Sequence, residues 1–257
     1  MCYDDNARPP LPPGPTVHAH GGDIVLTAGD GNRFAAYIAT PEQPATAQVL
    51  ILPDVRGLHQ FYKELALRFA EIGVAAVAMD YFGRSAGLSA RDDSFDYMPH
   101  VQQLNQAGVM ADAAASLALL RDQAGNAARF SVGFCMGGTL SFLCGTQELG
   151  LNGVIGFYAG MSRDFGGSGT LLQWAHKIQV PALGLFGGDD PGIPADKIAA
   201  FDQALDTAGV PHEIITYPGA PHSFFDRRSL EFAAASSDAW TRVRTFIAAQ
   251  SAPATAC

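Results

Sequence analysis

The sequence predicts an α/β fold, a single domain in which helices cover both faces of a mostly parallel central sheet. Three observations favour it. Apolar runs without polar alternation recur along the chain, as expected of strands that are buried on both faces. Segments with helical spacing of apolar residues lie between most of these runs, which is the pattern of βαβ units. The chain has 257 residues, 48% of them hydrophobic, which is enough for the core of one such domain.

The predicted strands form two groups. Two short runs, 23–28 and 33–39, flank the turn sequence GDGN and predict a hairpin. Six further runs predict buried strands at 49–53, 74–79, 130–134, 153–158, 182–186 and 212–217. Ligand sites in such sheets lie beyond the carboxyl ends of the strands, so the residues that follow these runs are the candidates for chemistry.

Apolar residues spaced three or four positions apart predict four helices, and a fifth helical pattern follows residue 135. The spaced residues are Phe61, Leu65, Phe69 and Ile72; Val109, Ala113, Leu117, Leu120 and Ala124; Ile198, Phe201 and Leu205; and Trp240, Val243 and Ile247 in a tail helix from about 230 to 249. The polar, glycine-containing segment 83–108 breaks this rhythm. Long loops of this kind are often functional, so it is either a cap over the site or a plain surface excursion.

The predicted domain spans residues 17–250. A proline-rich N-terminal arm, residues 1–16, precedes it and holds five of the 16 prolines, a composition that favours extended chain. A short C-terminal tail, residues 251–257, follows the last predicted helix.

The composition disfavours several classes of function. The formal net charge is −9, and an acidic surface repels phosphate backbones, so we expect no nucleic-acid partner. No apolar run is long enough to span a bilayer and no signal-peptide pattern is visible, so we expect a cytoplasmic protein without a membrane partner. The four cysteines lack metal-ligand spacing, which indicates reduced thiols and no metal or other cofactor. The oligomeric state stays open.

The strand predicted at 130–134 ends in the sequence GFCMG, residues 133–137. This is the G-x-S-x-G nucleophile-elbow pattern with cysteine in place of serine, and its glycines allow strand and helix to approach closely. The sharp turn places Cys135 at a helix N-terminus, where the helix dipole favours a thiolate. We therefore predict that Cys135 is a nucleophile. Cys144 would face the opposite side of the helix and is predicted to lie in the core.

Loops after two later strands supply candidate partners for this thiol. The acid and the histidine follow the nucleophile in that order in elbow enzymes. The sequence GGDDPGIP offers Asp189 and Asp190, and the sequence GAPHSF offers His222. A histidine can accept the thiol proton and later protonate a leaving alkoxide, while a carboxylate fixes its tautomer. The backbone N–H groups of Met136 and Val55 are the expected oxyanion hole.

With GFCMGG, GGDDPGIP and GAPHSF in this order, residues 20–248 resemble the dienelactone hydrolase family of α/β-hydrolases. The resemblance implies the α/β-hydrolase fold. It also implies hydrolysis of a lactone or ester through a Cys-Asp-His triad without a metal. It selects Asp190 as the acid, with Asp189 as the alternative.

The resemblance implies roles for further residues. Asp54, in the sequence DVRGL, stands where the family has an acidic residue, more usually Glu, that influences the proton on the resting thiol. Arg84, in the sequence DYFGR, stands where the family grips a substrate carboxylate. A second carboxylate-binding Arg of the family is replaced by Asp226, which disfavours the original dienelactone as substrate. Further expected substrate contacts are Phe82, Ser223 and Phe224.

The sequence therefore predicts a dienelactone-like hydrolase of the carboxymethylenebutenolidase type. It would cleave a small ester or lactone, with or without a carboxylate, through an acyl-enzyme on Cys135. A thioesterase or small amidase on the same triad is the alternative enzyme. A non-catalytic ligand receptor that keeps this scaffold, and a thiol-based redox protein, are alternatives from other classes.

Overall fold

The computed structural model describes residues 7–252, and within them the chain forms one eight-stranded sheet flanked by helices. The strands are β1 (Ala19–Thr27), β2 (Arg33–Pro41), β3 (Ala47–Leu52), β4 (Val74–Met79), β5 (Ala128–Phe134), β6 (Gly153–Phe157), β7 (Ala182–Gly187) and β8 (His212–Tyr217). The helices are α1 (Gln60–Glu71), α2 (Gly83–Ala86), α3 (Met98–Val101), α4 (Gln106–Ala124), α5 (Met136–Cys144), α6 (Leu171–Trp174), α7 (Ala195–Ala208) and α8 (Ala233–Ser251). A short 3-10 turn, Ala175–Lys177, follows α6.

The sheet has the strand order β1-β2-β4-β3-β5-β6-β7-β8. β1 and β2 form an antiparallel hairpin, and β2 also pairs antiparallel with β4. The other six strands, β4, β3, β5, β6, β7 and β8 in sheet order, pair in parallel with their neighbours in this series. This confirms the predicted single-domain α/β-hydrolase fold. The residues that follow β3, β5, β7 and β8 meet at one edge of the sheet, because the carboxyl ends of parallel strands lie together.

Helices cover both faces of the sheet. On one face α1 and α8 touch each other, with the rings of Phe69 and Trp240 4.9 Å apart. On the other face α4 packs on α5, and α5 reaches α7 through the rings of Phe142 and Phe201, also 4.9 Å apart. β3 and β4 are buried along their whole length between these layers, which explains why their sequences lack polar alternation.

All five helices expected from the sequence are present. α2, α3 and α6 were not expected, and each has only four residues, which is too short for a periodic apolar pattern. α2 and α3 lie within the segment 83–108, so that segment is partly helical. Among residues 7–252 no helix combines the length and the apolar character that crossing a bilayer requires.

Residues 7–16 of the N-terminal arm contain no helix or strand and lie against α8. The indole Nε1–H of Trp240 donates to the carbonyl oxygen of Pro10 at 3.0 Å. The guanidinium of Arg244 donates to the carbonyl oxygen of Pro13. Residues 1–6 of the predicted arm and 253–257 of the predicted tail, including Cys2 and Cys257, lie outside the described residues.

Candidate active site

Cys135 lies between β5 and α5, with φ 55° and ψ −115°. A positive φ is uncommon for a residue with a side chain, and here it turns the strand sharply into the helix. Gly133 and Gly137 make the turn possible. A Cβ atom on Gly133 would lie 1.9 Å from the carbonyl oxygen of Gly137, and one on Gly137 would lie 2.1 Å from the carbonyl oxygen of Leu52. The half-buried thiol therefore stands at the carboxyl edge of the sheet.

The loops after β7 and β8 bring an acid and a histidine together at this edge. Asp190 Oδ2 and His222 Nδ1 are 2.6 Å apart. Asp190 Oδ1 accepts the backbone N–H of Gly192 at 2.8 Å, which holds the carboxylate in place. Asp190 is buried, whereas Asp189 is exposed. The structure thus brings Asp190 rather than Asp189 to the histidine, and the contact at Nδ1 leaves Nε2 for the thiol.

His222 is hydrogen-bonded on both sides, to Asp190 and to Cys135. Burial acts to lower the pKa of His222, but the hydrogen bonds to Asp190 and to Cys135 outweigh it and raise the pKa to about 10. A thiolate beside the ring favours the imidazolium, so the charges of the two groups support each other. With its pKa raised, His222 is suited to protonate a leaving group.

The two backbone N–H groups expected to form an oxyanion hole belong to Met136 and Val55. Met136 is the first residue of α5, so its N–H has no acceptor within the helix. Val55 lies in the turn after β3, the strand that pairs with β5, and is half-buried. The turn is fixed by Asp54: its Oδ1 accepts the N–H of Arg56 at 2.9 Å, and its carbonyl oxygen accepts the N–H of Gly57 at 3.1 Å.

A buried carboxylate holds the turn 54–58 from the side of β4. Asp80 accepts backbone N–H groups from Leu58 and Phe82, and its Oδ2 receives Arg91 Nη2 at 2.7 Å. The side chains of Arg91 and Asp80 are 1% and 0% exposed. Gly57 packs directly on this pair, because a Cβ there would lie 2.7 Å from Asp80 Oδ1. We call Asp80 and Arg91 the brace. The sequence analysis missed it, since nothing marks the two residues as partners.

The segment 83–108 also contacts the turn 54–58 through a second ion pair. Arg56 Nη2 lies 2.5 Å from Asp93 Oδ1. The guanidinium of Arg91 stacks over the ring of Phe95 at 4.5 Å, and that ring stacks on His100 at 5.2 Å. The segment is therefore anchored beside the turn that carries Val55.

Tyr158, which directly follows β6, is a site residue that the sequence analysis did not single out. Its ring packs on the ring of His222 with centroids 4.9 Å apart, and its side chain is fully buried. Its φ is 36°, and Ser223, beside the histidine, has a φ of 60°. Cys135, Tyr158 and Ser223 are the only residues other than glycine with positive φ within residues 7–252. Backbone strain is thus concentrated at this site.

Two more acids are buried here. Asp54 is 0% exposed and Asp226 is 2% exposed. The hydroxyl of Tyr158 donates to Asp226 Oδ2 at 2.9 Å, and the backbone N–H of Arg227 donates to Asp226 Oδ1. Burial, followed by the negative charge of Asp54, raises the pKa of Asp226 to about 7. The charge of Asp54 therefore acts on Asp226, which is hydrogen-bonded to Tyr158 beside His222.

The other predicted substrate contacts have structural partners. Arg84 is paired with two carboxylates: its Nη1 lies 2.6 Å from Asp30 Oδ2 and its Nη2 lies 2.8 Å from Asp112 Oδ1. Phe82 and Phe224 are fully buried, packed among other aromatic rings. Ser223 is also buried, next to His222. The structure therefore gives no support to a direct substrate contact by Arg84, Phe82 or Phe224.

Cys144 is fully buried in α5, and burial raises the pKa of its thiol to about 12. It lies in the core, as the sequence analysis expected. Among the described residues, one group of side chains has metal-ligand geometry: Asp202, Asp206 and His212, with ligand atoms within 4.8 Å of one another. His212 begins β8, so this group lies at the amino edge of the sheet, opposite the thiol.

Comparisons with known proteins identify the family to which the chain belongs. The dienelactone hydrolase family matches residues 34–251 of the chain. A protein of Saccharolobus solfataricus named "Putative carboxymethylenebutenolidase" is 30% identical over 257 residues, covering 85% of this chain and 95% of its own length. A protein of the same name from Yersinia pestis is 27% identical over 235 residues, covering 87% and 86%.

Solved structures share the fold. A crystal structure described as a "Putative Dienelactone Hydrolase", from Klebsiella pneumoniae, superposes with a TM-score of 0.79 at 23% identity, over 90% of this chain and 99% of its own. A dienelactone hydrolase-like promiscuous phosphotriesterase from metagenomic libraries superposes with a TM-score of 0.76 at 22% identity, over 90% and 98%.

Proposed function

The chain belongs to the dienelactone hydrolase family, and we propose that it cleaves a small ester or lactone with Cys135 as nucleophile, through a thioester acyl-enzyme. The observation that carries the proposal is the hydrogen-bonded series from Asp190 through His222 to Cys135 at a nucleophile elbow. The names of the curated relatives support a lactone as substrate. A receptor would need neither the thiol nor the strained turn that presents it.

In the first half of the reaction, the sulfur of Cys135 forms a bond to the carbonyl carbon, and the C=O electron pair moves onto oxygen. The N–H groups of Met136 and Val55 donate to this oxyanion, and each such donor is typically worth about 2.7–4 kcal/mol. The tetrahedral intermediate collapses as the carbon–oxygen bond to the alkoxide breaks. The imidazolium of His222 protonates the alkoxide through Nε2, and a thioester remains on Cys135.

In the second half, neutral His222 accepts a proton from water, and the resulting hydroxide attacks the thioester carbon. The oxyanion returns to the same donors, and its collapse expels the thiolate of Cys135. The product leaves as a carboxylic acid, and the thiolate–imidazolium pair is restored. Asp190 keeps Nδ1 protonated throughout, so that Nε2 does all of the proton transfer.

Hydrolysis of p-nitrophenyl acetate and of dihydrocoumarin by the wild type and by two cysteine variants tests this proposal. Cys135→Ala should lower kcat/KM by at least about a thousandfold on both substrates, with an unchanged melting temperature. Cys144→Ala is the matched control. It removes a thiol from the same helix and should keep its activity per folded molecule. Activity of Cys135→Ala equal to that of the wild type would refute the nucleophile assignment.

A wider screen separates this proposal from its alternatives. Short acyl thioesters and anilides, measured beside the esters and lactones, distinguish an esterase from a thioesterase or a small amidase by their kcat/KM values. Binding of lactones without any turnover would instead indicate a receptor.

A further inference from the structure

We propose that this site accepts esters and lactones whose acyl part is uncharged or cationic, and discriminates against an acyl part that carries a carboxylate. The discriminating groups are the buried acids Asp54 and Asp226. The inference rests on the proposed function and specifies its substrate class.

The first argument is the position of Asp226. Asp226 follows His222 in the same loop, and its backbone N–H donates to the carbonyl oxygen of Ser223 at 3.3 Å. Its carboxyl group is held by Tyr158, whose ring packs on His222. Only one aromatic ring therefore separates Asp226 from the imidazole. Its side chain is 2% exposed, so solvent screens its charge poorly.

The second argument is that Asp54 adds negative charge to the same neighbourhood. It follows β3, whose neighbour β5 leads to the thiol. The negative charges of Asp226, Asp54 and Cys135 all act on Tyr158 and, after burial, raise the pKa of its hydroxyl well above the usual value. The charge of Asp54 also acts on Asp226. The two buried acids therefore act on the same residue, Tyr158, as the half-buried thiol does.

The third argument concerns the cations that could offset this charge. Arg84, which the resemblance assigned to a substrate carboxylate, is neutralised by Asp30 and by the fully buried Asp112. Of the two cations that line a pocket with Asp226, Arg8 is paired with Glu64 and Arg227 donates its backbone N–H to Asp226 Oδ1. The charge of His222 is balanced by Asp190 and the thiol. A substrate carboxylate that approached this part of the site would therefore meet the buried negative charge of Asp54 and Asp226.

Three p-nitrophenyl esters of equal chain length test the inference: the hexanoate, the monoester of adipic acid, and 6-(trimethylammonio)hexanoate. We measure kcat/KM at about pH 8, where Asp226 is largely ionised, and subtract the rate with Cys135→Ala. For the wild type, kcat/KM on the adipate ester should be at least about tenfold below that on the hexanoate. The cationic ester should be cleaved at least as efficiently as the hexanoate.

Asp226→Asn keeps the shape of the side chain and removes its charge. It should narrow the gap between the adipate and hexanoate esters by at least about threefold. Asp196→Asn changes the net charge equally but at an exposed position on α7, and it should leave the gap unchanged. The ratio of two kcat/KM values cancels any loss of folded protein or of the common chemical step. If Asp226→Asn does not fold, Asp54→Asn provides the same readout.

Equal or better cleavage of the adipate ester by the wild type would overturn the inference, as would an unchanged ratio in the acid variants. Failure of the wild type to cleave the hexanoate faster than Cys135→Ala would instead contradict the proposed function. The inference is then tested by protection of Cys135 from iodoacetamide. Hexanamide should slow the alkylation and adipic acid monoamide should not, and equal protection by both would overturn it.

Discussion

The three strained residues Cys135, Tyr158 and Ser223 follow β5, β6 and β8, the strands whose ends surround the proposed nucleophile. Positive φ at such residues costs about 1–3 kcal/mol each, so the surrounding packing must enforce it. At Cys135 the enforcing contacts are identifiable, because Gly133 and Gly137 let β5, α5 and β3 approach to a distance that no Cβ would allow. The position of the thiol is thus fixed by backbone geometry.

Gly137→Ala tests this at the level of one atom. The added Cβ would lie 2.1 Å from the carbonyl oxygens of both Leu52 and Pro53, neither of which can move without shifting β3. We expect a loss of unfolding free energy of about 3 kcal/mol or more, measured by urea denaturation. Gly29→Ala is the control, since a Cβ there meets nothing within 4 Å. A Gly137→Ala protein as stable as the control would contradict the geometry of the elbow.

The buried carboxyl of Asp226 predicts a pH dependence of stability. Its pKa is raised from 3.8 to about 7 in the folded protein, so its ionisation opposes folding. The cost is absent below pH 3.8, grows between pH 3.8 and about 7, and is complete above that. The titratable and charged groups around it are Tyr158, Asp54, His222, Arg8 and Arg227.

Asp226→Asn cannot ionise at this position. Thermal denaturation should therefore show the stability of the variant rising relative to that of the wild type, by about 4 kcal/mol, as the pH rises from about 4 to about 8. Asp196→Asn, which removes an exposed carboxyl, is the control for the change in net charge. A difference between Asp226→Asn and wild type that stays constant with pH would contradict the raised pKa.

Single residues were predictable from the sequence where a local pattern marks them. Cys135 stands in the elbow pattern, and His222 follows a strand in a loop rich in Gly and Pro. The ion pairs of Arg84 were not predictable in this way, because its partners Asp30 and Asp112 are distant in the chain and only the folded structure brings them together. The same holds for Tyr158 and Asp226, which are 68 positions apart.

Among the elements, the turn 54–58 depends on the segment 83–108 for its shape. The brace of Asp80 and Arg91 supports Gly57 and Leu58, while Asp93 holds Arg56. The N–H of Val55 is one of the two donors proposed for the oxyanion, so we expect the brace to affect catalysis through the position of this turn. The sequence analysis left open whether 83–108 is a cap or a surface excursion. These contacts indicate that the segment supports the turn 54–58.

Arg91→Gln removes the positive charge of the brace while leaving a hydrogen-bond donor. We expect kcat to fall by about ten- to a hundredfold with little change in KM, because a displaced oxyanion donor acts mainly on the transition state. Arg91→Lys should recover part of kcat, and Arg121→Gln, at an exposed position on α4, is the control. A rise in KM at constant kcat would contradict a role for the brace in positioning the oxyanion hole.

The strands and long helices were predictable because each carries its own hydrophobic signal. β4 is fully buried and is an unbroken apolar run, and β3 is apolar from Val49 to Leu52, while α1 repeats its buried residues every three or four positions. α2, α3 and α6 lack such a signal, since a four-residue helix makes a single turn whose formation depends on tertiary contacts.

Across the whole molecule, residues 7–16 fasten the start of the described chain to α8 and α1. Trp240 and Arg244 bind the carbonyl oxygens of Pro10 and Pro13, and Arg8 Nε lies 3.2 Å from Glu64 Oε2. The arm also lines one pocket with Asp226 and Arg227, in the segment that follows His222.

Deleting residues 1–16 should therefore lower stability and leave catalysis intact. Loss of the arm's hydrogen bonds and of the buried Pro9 and Pro12 should lower the melting temperature by about 4–8 °C. The kcat on p-nitrophenyl acetate should stay the same per folded molecule at a temperature where both proteins are folded. An unchanged melting temperature would show that the arm contributes nothing to the fold.

The most direct test of the account is to identify the acylated residue during turnover. Wild-type protein is mixed with excess p-nitrophenyl acetate, quenched in acid within one turnover, digested, and mapped by mass spectrometry. We expect one acetyl group on the peptide that contains Cys135 and its disappearance as substrate is exhausted, with none on the peptide that contains Cys144. Continued turnover with acetyl on another side chain, or with no acylated peptide under conditions where acylation outruns deacylation, would contradict a reaction through the Cys135 thioester.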